Sequence, residues 1–183
     1  MNKITRIHGA ALAFVFLFGA LGGVACGASD HPLLGKAAPA LSLDLMGGGK
    51  LDLAALKGKV VVMDFWATWC PPCRAAMPVY VRVTDKLKEK GVVFYGVNLK
   101  ETPEQIKTFQ EKNNLKFSVA LDSQLEAAKL YEVESIPQLV IVGKDGVIEA
   151  VHVGMAPGAE ETLAKELETL LAGKSLVKKD EKK

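Results

Sequence analysis

The chain has 183 residues and a mass of 19.6 kDa, enough for one domain with attachments and too little for two. Hydrophobic residues make up 49% and charged residues 24%, which excludes a disordered chain and a polytopic membrane protein. The 23 Lys and Arg against 21 Asp and Glu leave a formal charge of +2, without the basic excess of a nucleic-acid binder, and three cysteines are too few for a disulfide-stapled mini-fold.

Lys3 and Arg6 precede an uncharged run from Gly9 to Cys26 that includes Phe14, Val15, Phe16, Leu17 and Phe18 and ends in small residues. A basic start, an apolar stretch and small residues form the layout of a secretory signal. A core helix would keep a polar face, and this run has none. Three fates stay open for the segment. Cys26 resembles the lipid-modified cysteine of bacterial lipoproteins, although Gly23 stands where those proteins usually carry a large apolar residue. Cleavage after Ala25 or Ala28 would instead release the chain, and 18 uncharged residues also reach the lower edge of a membrane span. Each fate places the mature protein outside the cytoplasm, in the periplasm or at the outer face of the membrane.

The organisation expected is an export segment over 1–25, a linker over 26–40, a domain over 41–172 and a Lys-rich tail over 173–183. In the tail, five Lys face Asp180 and Glu181, which suits a solvated terminus; membrane or phosphate binding there is the lesser reading.

Within the mature chain, residues 30–40 read as an extended leader around Pro32, Gly35 and Pro39. Leu41, Leu43 and Leu45 alternate with polar residues. Gly47 to Gly49 then turn the chain, and Lys50 to Leu53 can return as a second short strand. Val60 to Phe65 is almost continuously apolar, as in a central strand covered on both faces, so its one charged member, Asp64, is conspicuous. Met77, Tyr80, Val81, Thr84 and Leu87 follow helical spacing, with Pro78 expected to kink the helix rather than end it. Val92 to Leu99 reads as a strand, and Thr102-Pro103 opens a helix. Phe117 to Leu121 is a strand, Leu125 to Tyr131 a short helix, and Gln138 to Val153 a hairpin turning at Gly143–Gly146. Leu163, Leu167, Leu170 and Leu171 stripe a closing helix. Alternating strands and helices with a terminal hairpin predict an α/β sheet that is parallel in part.

Cys70-Pro71-Pro72-Cys73 lies at a strand-to-helix junction. A helix N-terminus offers unpaired N–H groups and partial positive charge, both of which stabilise a thiolate. Cys70, nearer the exposed end, is the expected nucleophile, and Cys73, one turn inside, the resolving thiol. Pro71 and Pro72 suit the first turn, where no backbone N–H is needed. A zinc site would need further ligands, and beyond Cys26 only His8, His31 and His152 remain. Covalent haem attachment needs His after the second cysteine, where Arg74 stands. A structural disulfide over so short a loop would constrain little. A dithiol redox pair fits best, without metal or cofactor.

The run Phe65-Trp66-Ala67-Thr68-Trp69-Cys70-Pro71-Pro72-Cys73, with Pro78, Ile136-Pro137 and Gly154, resembles the TlpA/ResA-like exported thiol-disulfide oxidoreductases of the thioredoxin superfamily. The resemblance runs from about Gly35 to Leu171. It implies a thioredoxin-like fold: a central mixed sheet flanked by helices, an N-terminal strand extension and one extra strand-helix insertion within the 64 positions separating Cys73 from Pro137. It further implies a cis Ile136-Pro137 bond facing the cysteines, and substrate contact through Trp69, Pro71, Pro72, Ile136 and Pro137. Asp64 matches a buried aspartate that exchanges a proton with the inner cysteine, the alternative being a half-exposed strand residue. Glu101 matches an active-site glutamate, the alternative being a solvated helix-start acid. Trp66 and Trp69 are expected to pack around the site, or to serve as core aromatics.

The reaction implied is reduction of disulfides in exported proteins, apocytochrome c among them, with electrons from a membrane thiol carrier. An oxidising disulfide donor and a peptide-binding holdase without turnover are the competing readings. A peroxiredoxin site would need Thr or Ser three residues before the cysteine, where Ala67 stands.

Overall fold

Residues 31–177 are described by the structure, a computed structural model; the export segment 1–25, Cys26 and the residues after Val177 lie outside the described residues. Strands β1 (Ser42–Asp44) and β2 (Lys50–Asp52) pair antiparallel around the glycine turn. The main sheet contains β3 (Val60–Trp66), β4 (Val92–Leu99), β5 (Ser118–Asp122), β6 (Gln138–Val142) and β7 (Ile148–Val153). Four helices connect or follow these strands: α1 (Pro71–Leu87), α2 (Pro103–Lys112), α3 (Glu126–Leu130) and α4 (Ala159–Leu171). The strand order is β5-β4-β3-β6-β7. β3, β4 and β5 run parallel, and β6 and β7 antiparallel, giving the mixed sheet expected.

All seven residues of β3 are buried, as a strand covered on both faces requires. Val61, Met63 and Phe65 enter one core with Leu41, Leu51 and Tyr131. Val60 and Val62 point the other way, under Ala76, Tyr80 and Val83 of α1 and Leu163 and Leu167 of α4. Each large apolar side chain buried in these layers contributes about 1.5–3 kcal/mol. α1 runs on through Pro78 rather than ending there. α2 opens on a capping box, with Thr102 Oγ1 accepting from the Gln105 N–H and Gln105 Oε1 accepting from the Thr102 N–H.

Two segments differ from the sequence reading. Residues 31–38 are not simply extended: a turn at Pro32–Gly35 leads onto the edge of β7, where Gly35 N–H donates to Ile148 O (2.8 Å) and Ile148 N–H to Lys36 O (2.9 Å). The chain then crosses one sheet face, and Met46 N–H donates to Val119 O (2.9 Å) on β5, so one strap covers parts of both sheet edges. The first residues of the tail, though exposed in part, are tied down rather than frayed. The carboxylate of Glu149, buried on β7, accepts from Ser175 Oγ (2.7 Å), Leu176 N–H (2.7 Å) and Val177 N–H (3.4 Å). An unpaired buried carboxylate would be costly, and these donors satisfy it.

The sheet register defines two poles. Trp66, Asn98 and Leu121 lie in one row near the C-terminal ends of β3, β4 and β5. Val60 and Val92, with Val142 and Ile148 beside them, mark the opposite end. The cysteine pair follows β3 and therefore sits at the first pole.

Candidate active site

β3 ends at Trp66, and a turn closed by Cys70 N–H donating to Ala67 O (3.2 Å) carries the chain into α1. Cys70 is the N-cap of that helix, with extended backbone. Pro71 and Pro72 have no N–H to offer, so the Cys73 N–H is the first one inside the helix, and it donates to Cys70 Sγ at 3.2 Å. In the disulfide form present here, the two sulfurs are 2.09 Å apart and the Cα atoms 5.3 Å. Cys73 is fully buried and Cys70 is 3% exposed. The outer cysteine is the more accessible of the two, as expected, but only a sliver of it meets solvent, while Pro71 and Pro72 beside it are exposed.

The Ile136-Pro137 bond is cis, and the Ile136 carbonyl oxygen lies 3.7 Å from Cys70 Sγ. Pro137 O accepts from Gly154 N–H (2.8 Å), which ties the proline to the end of β7. Gly154 has φ +75°, a left-handed conformation that a side chain disfavours. Around this point the surface is apolar: Trp69 is 67% exposed, and Val153 and Met155 flank Gly154 in the open. Trp66, by contrast, is buried against Phe109 and Phe117. The two tryptophans thus have opposite roles, one in the core beside Cys73 and one on the surface beside Cys70.

Gly96, opposite Asp64 on β4, explains how the indole fits. A Cβ there would lie 2.7 Å from both Trp66 Nε1 and Phe117 Cε2, so only glycine lets the ring lie across the strand.

Asp64 is fully buried, and neither carboxylate oxygen has a hydrogen-bond partner among the described residues. It shares its face of β3 with Trp66 and with Val62, the face that α1 covers. Loss of hydration holds its carboxyl well above the usual range. Tyr80, on the buried side of α1, is pushed up by its own burial first and by the Asp64 charge second. The half-exposed alternative for Asp64 is thereby excluded.

Glu101 is half-buried and does not bond to either cysteine. Its Oε2 accepts from the Thr68 N–H (2.7 Å) and from Asn98 Nδ2 (2.7 Å), and its Oε1 from Thr68 Oγ1 (2.5 Å). Asn98, 1% exposed, also accepts the Glu101 N–H through Oδ1 at 3.3 Å. Glu101 therefore clamps the turn that carries Trp69 and Cys70 to the end of β4. Thr68 and Asn98 were not singled out by the sequence reading. Thr68 lies within the matched motif and Asn98 three residues before Glu101, but only the fold brings Thr68 across 33 residues to Glu101.

The arrangement can form and break a disulfide at a helix N-terminus, next to an exposed apolar surface and the cis-proline step. The sequence profile of the AhpC/TSA family matches residues 34–151. The chain is 38% identical over 115 residues to the thiol-disulfide oxidoreductase ResA of Bacillus anthracis, covering 63% of this chain and 66% of that one. It is 30% identical over 137 residues to ResA of Halalkalibacterium halodurans, covering 75% and 76%. Among solved structures it is similar to a Chlorobium tepidum protein assigned as the thiol:disulfide interchange protein DsbE, with a TM-score of 0.70 and 31% identity over 75% of this chain and 97% of that one. With its redox pair, cis-proline and sheet order all in place, the chain belongs to the AhpC/TSA family and, within it, to the ResA-type thiol-disulfide oxidoreductases.

Proposed function

We propose that the protein works outside the cytoplasm as a disulfide reductase for exported proteins. The single observation that carries this is the position of Cys70: its sulfur receives the first N–H of α1 and lies beside the Ile136 carbonyl. Once the pair is reduced, that N–H and the helix dipole favour the Cys70 thiolate, and such sites lower a cysteine pKa to about 3.5–7.5.

In the forward reaction a substrate peptide lies across Trp69, Pro71, Pro72 and the Ile136-Pro137 edge. The Cys70 thiolate attacks one substrate sulfur, forming a mixed disulfide and expelling the other as a thiolate, which takes up a proton. Cys73 then loses its proton and attacks Cys70 Sγ. That step releases the second substrate thiol and leaves the Cys70–Cys73 disulfide. Asp64, buried and short of hydrogen bonds, is the proposed acceptor of the Cys73 proton, because burial raises its pKa and so makes its ionised carboxylate a stronger base than an exposed one. Glu101, in this reading, acts through the turn it clamps. A membrane thiol carrier returns two electrons and two protons to close the cycle, and apocytochrome c is among the fitting substrates. The N-terminal signal layout supports the compartment, with Cys26 as its candidate lipid attachment point.

The reduction potential of the Cys70/Cys73 couple tests the direction. A value near that of thioredoxin, about −270 mV, supports the reductase; one near DsbA, about −120 mV, reverses it. A Cys73→Ala variant, unable to resolve the mixed disulfide, should accumulate covalent adducts with its substrates. Full cellular function in a Cys70→Ser variant would replace the exchange reaction with peptide holding.

A further inference from the structure

The formal charge of +2 conceals an asymmetry that the fold creates. Seven exposed lysines gather at the pole opposite the cysteines: Lys36, Lys57, Lys59, Lys88, Lys90, Lys144 and Lys174. They come from five separate stretches of sequence, and backbone contacts knit these together. Gly58 N–H donates to Lys144 O (2.9 Å), Val60 N–H to Gly91 O (3.0 Å), and Ile148 N–H to Lys36 O (2.9 Å). Lys144 and Lys174 line one cavity with Gly35 and Val177.

The exposed carboxylates of these loops are Glu89 and Asp145. Glu149 is buried and already engaged by Ser175, Leu176 and Val177. Asp85, Lys86 and Glu168, on the last turns of α1 and α4, leave most of the excess in place. None of the seven lysines forms an ion pair among the described residues; Lys144 Nζ donates to Leu171 O (2.7 Å). At the cysteine pole Glu101, Glu104, Glu126, Glu132 and Glu134 stand against Arg74, Lys100 and Lys129, so no basic excess faces that way.

We infer that this lysine pole docks reversibly on an anionic lipid surface, presenting the redox pair to exported substrates while docked and leaving it free to turn to the membrane carrier on release. Three observations select lipid headgroups. The charges are lysine point charges spread over loop tips, with no arginine fork and no aromatic residue in those loops to stack a base. The uncharged run Gly9–Cys26 joins the domain through residues that reach the sheet at Gly35, on this same pole. Eight residues separate Cys26 from Gly35, a reach of about 30 Å at most. Val177 packs over Gly35, so the chain continues from this pole toward Lys178, Lys179, Lys182 and Lys183. An apolar or lipidated anchor joined to a basic patch is the two-signal arrangement that gives stable membrane attachment. The cysteine pole has no matching basic excess, which sets the orientation. The docking stands independently of the exchange chemistry, and its use to substrate and carrier rests on the reductase reading.

The test uses the full chain with phosphatidylcholine vesicles, with and without about one third phosphatidylglycerol. The apolar segment contributes equally to both, so the excess on the anionic vesicles reports the lysines. Each lysine near such a surface contributes about fivefold. The combined Lys57→Gln, Lys59→Gln, Lys88→Gln and Lys90→Gln variant should therefore lose about two to three orders of magnitude of the excess, with its urea midpoint unchanged. Raising salt from ~0.1 to ~1 M should erase the excess in the parent chain. Alkylation of reduced Cys70 should be as fast on the vesicles as in solution. Equal binding to both vesicles, an excess that survives the four substitutions, tighter retention by duplex DNA or an acidic polypeptide at the same salt, or protection of Cys70 on the membrane would each overturn the assignment.

Discussion

Replacing Asp64 by Asn removes a buried carboxyl while keeping its shape, and the consequence is written in the pH dependence of stability. Both oxygens lack partners and the side chain is fully buried, so the folded state favours the protonated form and its pKa is raised. The unfolded chain releases the same proton near the ordinary aspartate value, about 3.9. Between the unfolded and the folded pKa the native state holds one proton more than the unfolded state, so stability falls as pH rises. The slope in that window approaches about 1.4 kcal/mol per pH unit for a single group. Below the unfolded pKa the contribution vanishes, and above the folded pKa the loss reaches its plateau. Urea unfolding of the oxidised protein and of Asp64→Asn across the acid-to-neutral range isolates this group, because the other titrations cancel in the difference. The variant should gain on the parent steadily with pH. Two parallel stability curves would refute the reasoning, since they would mean that Asp64 ionises alike in both states.

Other outcomes follow from the same geometry. Thr68→Val removes the hydroxyl that donates to Glu101 and keeps the backbone N–H; it should cost about 1–2 kcal/mol in urea unfolding, in line with a charged hydrogen bond at a half-buried site. Gly96→Ala pushes a methyl against Trp66 and Phe117 at 2.7 Å, an overpacking expected to cost about 1–3 kcal/mol and to alter Trp66 fluorescence. In the reduced protein, iodoacetamide alkylation of Cys70 should show a midpoint below that of free cysteine, about 8.5; a midpoint at or above that value would remove the basis for its role as nucleophile. Glu149→Ala takes away the acceptor of Ser175, Leu176 and Val177, and trypsin should then cleave after Lys174 faster than in the parent.

Much of the site is readable in the linear chain because its chemistry is local. Cys70 and Cys73 share one helical turn, the prolines between them report a helix start, and the apolar run before them reports a central strand. The strand and helix positions follow from periodicity within single segments, which is why they agree to within a residue or two. Asp64 stood out for the same reason, as one charge in a buried run. The docking of residues 175–177 on Glu149 gave no such signal, because a polar, Lys-rich terminus looks alike whether it is solvated or bound to a buried carboxylate 26 residues away.

What tertiary structure alone decided are the relations between distant segments. Thr68 and Glu101 are 33 residues apart, and no period or spacing announces that contact; the 66-residue step from Cys70 to Ile136 has no local signal either and is reached only through the family resemblance. The lysine pole is the plainest case. Composition records near-neutrality, because it counts charges without regard to place. The parallel sheet brings the loops before β3 and β4 to one end, and the β6–β7 turn and both ends of the domain join them there. Electrostatic recognition depends on distance, and only folding sets those distances.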